Sequence, residues 1–205
     1  MSGKCEISYK VDIVSTIDGY RFNYIDDLIE ALRNVDERYY SYTTVKDVTK
    51  YPERVFAYEL YHQLRKIMEQ KSDMYDGIYL NGEQTKSKEV IEGLDTLAPD
   101  LILHKCIYDR QPEHQFWLCE IKMKRNSDSM SDLSKFNKYE PLEFPCYIFL
   151  YAGVSCSEMV SKIQQEGISK DSEAYEKTIC ISSYNSNGVI QIHCHSLKDI
   201  VERNI

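Results

Sequence analysis

The chain has 205 residues, with 25 Lys and Arg set against 33 Asp and Glu, a formal net charge of −8 at pH 7. That length fits one domain, and 42% hydrophobic with 28% charged residues is globular rather than disordered or fibrous composition. The longest apolar stretch, from Cys146 to Gly153, is far short of the ~20 residues of a membrane-spanning helix. The polar start from Met1 to Lys10 (MSGKCEISYK) carries no signal-peptide core. Seven scattered cysteines without a C-x-x-C pair read as reduced thiols in a cytoplasmic protein. A disulfide scaffold, a collagen, a membrane protein and a zinc finger are thereby set aside, and the acidic balance argues against an indiscriminate basic coat for nucleic acid.

No repeat, low-complexity tract or flexible linker divides residues 1–205, so one domain is expected. A first helix is predicted from Asp26 to Val35, with Leu28, Ile29 and Leu32 as its apolar stripe and the two aspartates favouring its start. A second runs from Pro52 to Lys71, where Phe56, Leu60, Leu64, Ile67 and Met68 recur at three- and four-residue spacing. The period then changes. Asp76 to Leu80, the run after Pro99-Asp100 (LILHKCIY) and Phe116 to Lys124 (FWLCEIKMK) read as strands. Ser131 to Tyr139 is a helix, and Cys146 to Tyr151 has the continuous apolar character of a strand buried on both faces. Ser157 to Gln165 is again helical. Two strands, Lys177 to Ser182 and Val189 to His195, meet in a turn at Asn185 to Gly188, and Leu197 to Arg203 closes with a helix. The order predicts an α/β or α+β mixed sheet flanked by helices.

The third strand carries the chemistry. Alternation puts Leu118, Glu120, Lys122 and Lys124 on one face and Trp117, Cys119, Ile121 and Met123 on the other, which is a core face. Asp100 opens the preceding strand. Paired strands lie ~4.8 Å apart, so Asp100 and Glu120 would reach one hard cation with Lys122 beside it. Carboxylates suit Mg²⁺ or Mn²⁺, which polarise a phosphoryl oxygen and acidify a bound water, and a lysine there orients the water or counters developing charge. Without such a site, Glu120 and Lys122 would form a solvated ion pair on an edge strand and Asp100 would be a turn or cap residue.

These motifs resemble the PD-(D/E)xK nuclease superfamily: Pro99-Asp100 matches its PD element and Glu120-Ile121-Lys122 its ExK element. The resemblance implies a restriction-endonuclease-like αβββαβ core over about 52–151, with residues 1–51 a helical N-terminal addition and 152–205 a C-terminal extension of the sheet. It also implies that Glu59 joins Asp100 and Glu120 as a metal ligand, and that Lys135, on the helix after the ExK strand, belongs to the catalytic set with Asp100, Glu120 and Lys122. The implied activity is Mg²⁺- or Mn²⁺-dependent cleavage of nucleic acid, DNA before RNA.

A net charge of −8 opposes phosphate binding. Lys124, Arg125 and Lys138 are the nucleic-acid contacts expected close to the site, and a homodimer or partner subunit would supply further recognition. The competing reading is a non-catalytic module of the same fold within a nucleic-acid-processing or defence assembly. His193-Cys194-His195 puts two histidines on one face, but without a second ligand cluster it reads as structural.

Overall fold

The structure is a computed structural model and describes residues 7–9, 19–82, 98–105, 114–124, 131–166, 168–186 and 188–203. Strand β1 (Ile7–Tyr9) precedes helix α1 (Gly19–Arg33), a small hairpin of β2 (Tyr42–Thr43) and β3 (Thr49–Lys50), and helix α2 (Glu53–Gln70). Strands β4 (Ile78–Gly82), β5 (Leu101–Lys105) and β6 (Gln115–Met123) follow, then α3 (Ser131–Tyr139) and β7 (Tyr147–Ala152). The chain continues through α4 (Cys156–Gln165) and α5 (Glu173–Lys177) to β8 (Thr178–Ser186), β9 (Val189–Ser196) and α6 (Leu197–Glu202).

Seven of these strands make one mixed sheet in the order β1-β9-β8-β7-β6-β5-β4. β4, β5 and β6 form an antiparallel meander, β7 runs parallel to β6, and β8 runs parallel to β7. The β8–β9 hairpin returns antiparallel, and β1 adds on parallel to β9. Both faces are covered. Tyr24, Leu28 and Leu32 of α1 and Phe56, Leu60 and Leu64 of α2 pack against Trp117, Cys119, Ile121, Ile148, Leu150, Ile179 and Ile181. On the other face, Phe136 of α3, Met159 and Ile163 of α4, Tyr175 of α5 and Ile200 of α6 cover Leu118, Tyr147, Phe149, Tyr151 and Cys180. This two-sided burial explains why CYIFLY reads apolar throughout: all six residues of β7 are buried.

Several boundaries differ from the sequence reading. Helix α1 begins seven residues before Asp26. The acidic pair that resembles an N-terminal signal lies mid-helix, because Asp27 is buried and bonds Lys71 Nζ and, at 2.7 Å, Tyr75 Oη. Tyr24 extends the apolar stripe back a turn: its hydroxyl donates to the Met74 carbonyl at 3.2 Å and its ring packs on Tyr75 and Phe116. The N-terminal region is also less helical than expected, since it supplies β1 and the β2–β3 hairpin. Neither has a readable period at two or three residues per strand. The five-residue α5 was unseen for the same reason. Residues 106–108 of LILHKCIY lie outside the described residues.

The Asp27 network ties α1 to the end of α2. Asp27→Ala should cost about 2–3 kcal/mol, since it strands a buried phenol and a lysine that share one carboxylate. Tyr75→Phe, which removes one donor and leaves the ring, should cost about 1 kcal/mol. Chemical unfolding of the two variants checks the order; equal losses would show that the network contributes nothing beyond packing.

Candidate active site

The site grows from a mismatch in strand length. β5 begins at Leu101, opposite Cys119, so β6 runs on past its neighbour from Glu120 onward. In β6 the N–H groups of Leu118 and Lys124 point to β7, bonding the carbonyls of Cys146 and Ala152. Backbone alternation therefore turns the N–H groups of Ile121 and Met123 toward the side that β5 has vacated. Two carboxylates take the place of the missing strand. Asp100 Oδ2 accepts from Ile121 N at 2.6 Å, and Glu53 Oε2, from the first turn of α2, accepts from Met123 N at 3.2 Å. A buried N–H left unbonded costs free energy, which is the local reason for an acid at each place. Between α2 and this open edge lies a cavity of about 500 Å³ lined by Glu53, Tyr58, Tyr61, Asn81 and Asp100, with Arg54 beside them.

Glu120 occupies the next position in register after Leu101–Cys119, across from Asp100 and on the face covered by α3. It is 2% exposed. Tyr139 Oη donates to Glu120 Oε1 at 2.8 Å and Lys135 Nζ to Oε2 at 3.2 Å. Burial, reinforced by the Asp100 charge, nevertheless pushes the Glu120 carboxyl up to about 7, against the opposing pull of Lys135 and Tyr139. Glu120 is thereby driven toward its protonated form, close to Asp100, which is half-buried and faces the cavity. Lys122, half-buried on the same face, stands beside Tyr151 of β7.

The solvated edge-strand pair is thus ruled out: β6 is interior and Glu120 is buried. The cap reading of Asp100 is correct as far as it goes, since the side chain does close the ladder. The structure brings Asp100, Glu120 and Lys135 together. Glu59 lies elsewhere on α2, where it accepts from Gln63 Nε2 at 2.6 Å and its charge acts on Arg38. The acid that α2 delivers to β6 is Glu53. Lys124 bonds Glu158 Oε2 at 3.3 Å, Lys138 is exposed on the outer side of α3, and Arg125 lies outside the described residues.

Tyr139 and Lys162 are participants that the sequence reading missed. Tyr139 is four residues after Lys135, one turn along the same face of α3, so the spacing held the signal. Lys162 donates to Tyr151 Oη at 2.6 Å and shares Glu158 with Lys124, which extends the polar cluster past Lys122 along α4. His193 and His195 share one face of β9; His195 Nε2 lies 3.2 Å from Cys156 Sγ, and burial lowers its pKa.

Among the described residues no three His, Cys, Asp or Glu side chains converge into a ready-made cation cage. The Asp100–Glu120 pair nonetheless fits a hard divalent cation, which needs one or two protein carboxylates and otherwise keeps its waters. Repulsion from Asp100, which adds to burial in raising the Glu120 carboxyl, is an electrostatic condition that such a cation relieves. Also among the described residues, no helix is long and apolar enough to cross a membrane. The five described cysteines are free thiols. Comparison with family models, with curated proteins and with solved structures found no match in any of the three.

Proposed function

We propose that this chain is a metal-dependent nuclease of the PD-(D/E)xK type, which hydrolyses phosphodiester bonds of DNA with Mg²⁺ or Mn²⁺ as its cofactor. The observation that carries this reading is the fork in β6, where Asp100 and Glu120 face one another with Lys122 two residues on. The order α2-β4-β5-β6-α3-β7, an antiparallel meander followed by a helix and a strand parallel to β6, supports the restriction-endonuclease-like core.

In this reading Asp100 and Glu120 hold the cation, with Glu53 rather than Glu59 as the third acid within reach of β6. A bound cation would polarise the phosphoryl oxygen and acidify the attacking water. Lys122 orients that water as its oxygen bonds phosphorus, the bond to the leaving oxygen breaks, and a proton passes to the leaving oxygen. Lys135 sits at Glu120 Oε2, placed to stabilise negative charge on the phosphate. Arg54, at the cavity by Asp100, offers a phosphate contact, as do Lys124, Arg125 and Lys138. A homodimer or a partner subunit would offset the net charge of −8, and a cytoplasmic location suits free thiols.

One observation favours a second reading, the non-catalytic module: both Glu120 oxygens are already bonded to α3. Calorimetric titration with Mn²⁺ tests the metal site directly. Binding is expected for the wild type and should be lost in Asp100→Ala and in Glu120→Ala. Binding that survives in both variants would remove these acids from the site.

A further inference from the structure

Two residues past Lys122, β6 and the parallel β7 finish side by side at Lys124 and Gly153, while β8 runs on past them through Tyr184 to Ser186. Ligands of α/β sheets favour the crevice outside such carboxyl ends. A cleft of about 790 Å³ opens there, walled by Tyr51, Lys124, Tyr184, Asn185, Arg38 and Glu37. That volume lies within the ~300–1,000 Å³ of sites for small organic ligands.

Its chemistry is specific. Two half-buried tyrosine rings, Tyr51 and Tyr184, flank it, and it holds two cations. Each cation is fixed by a carboxylate: Arg38 by Asp36 at 3.0 Å and Lys124 by Glu158 at 3.3 Å. Tyr184 Oη is anchored on Gln191 at 2.6 Å, and Asn185 Nδ2 donates to Glu37 Oε2 at 3.1 Å, presenting an amide and a carboxylate to the cleft. Gly153 lies between Lys124 and Tyr51 in a backbone conformation that favours glycine. It has φ +79°, and a Cβ there would lie 3.4 Å from Lys124 Cβ and 3.7 Å from the Tyr51 ring. The cleft meets the fork directly: Tyr51 is two residues before Glu53, whose carboxylate bonds Met123 N, next to Lys124.

Aromatic faces with paired cations suit a stacked base and its phosphate. The local acids Asp36, Glu37 and Glu158 outnumber these two cations, so the cleft relies on stacking and suits one nucleotide rather than a long polyanion. A duplex, whose bases are already stacked and paired, offers it nothing to hold.

We infer that this cleft binds one unpaired nucleotide of a DNA strand lying across the fork, with its base against Tyr51 and Tyr184 and its phosphate on Arg38 and Lys124. The inference deepens the nuclease reading and rests on it for the identity of the strand. Because stacking outweighs charge here, affinity should fall less steeply with salt than for a basic groove.

Fluorescence anisotropy without metal tests it, using fluorescein-labelled oligothymidylate, an intact duplex and the same duplex with one unpaired thymidine. The wild type should prefer the first and third probes. Tyr184→Ala and Tyr51→Leu, the latter keeping apolar volume without an aromatic face, should each weaken those two by about tenfold. Tyr51→Phe should bind within about twofold of wild type, since the ring remains. No binding of oligothymidylate by the wild type would overturn the inference, as would unchanged affinity in both Tyr51→Leu and Tyr184→Ala. Metal-dependent cleavage separates the two ideas. Cutting with tyrosine-independent binding would sink the cleft and leave the nuclease. Tyrosine-dependent binding without cutting would sink the nuclease and leave the cleft.

Discussion

Glu120→Gln should stabilise the protein above pH 7 and abolish the proposed metal-dependent cleavage. The Glu120 carboxyl is raised from an ordinary 4.5 to about 7 by burial and by Asp100. Between those values the folded chain holds a proton that the unfolded chain releases. The resulting stability is fully present below pH 4.5 and is lost as pH rises through 7. The full difference is on the order of 3 kcal/mol, at 1.36 kcal/mol per pKa unit. Screening by water takes little from it, since Glu120 is 2% exposed. Glutamine keeps the shape and cannot ionise, so the variant should lack this pH dependence. Thermal unfolding of both proteins from pH 5 to 8.5 provides the check. Parallel curves would mean that Glu120 ionises as freely folded as unfolded. Mg²⁺ should recover part of the loss in the wild type at high pH, because the cation binds the ionised form, and should not shift the variant. A buried acid that lowers stability at working pH is the pattern of a functional group.

The second large effect is expected at Lys122. Lys122→Ala should reduce cleavage by about 10²–10³-fold, the cost of removing a preorganised group from developing charge. The fold should be little affected, because Lys122 is half-buried near the end of its strand and is not part of either apolar core. Mn²⁺ affinity should be retained, since the carboxylates remain. Cleavage within tenfold of the wild type would place the catalytic cation elsewhere. A loss of Mn²⁺ binding together with activity would instead give Lys122 a role in building the metal site.

Periodicity made the sheet and most of its helices readable. The stripe of α2 and the alternation of β6 are long enough for one face to be told from the other. Glu120 was readable because it and Lys122 project from one face of a strand whose other face, with Trp117, Cys119 and Ile121, is apolar. What escaped lay in short elements and in length mismatches. That Asp100 caps Ile121 depends on where β5 stops relative to β6, a register that no single segment encodes. Glu53 escaped because its role is set by the distance from the first turn of α2 to Met123, across 70 residues of chain. Glu59 has a favourable position in the sequence, but the helix turns it toward Arg38. Asp27 misled in the opposite way: its charge looked like a helix start and is in fact consumed in a buried bond.

The pairing of β1 with β9 joins Ile7 to Ile192 and Tyr9 to Cys194, nearly the two ends of the described chain. During synthesis β1 therefore emerges long before its ladder partner β9 exists. Its exposed backbone must wait until β9 has left the ribosome. Closing that span carries a large entropy cost, so the edge forms late and slowly relative to the meander. The meander and its acidic fork can thus be assembled while the opposite edge of the sheet is still open.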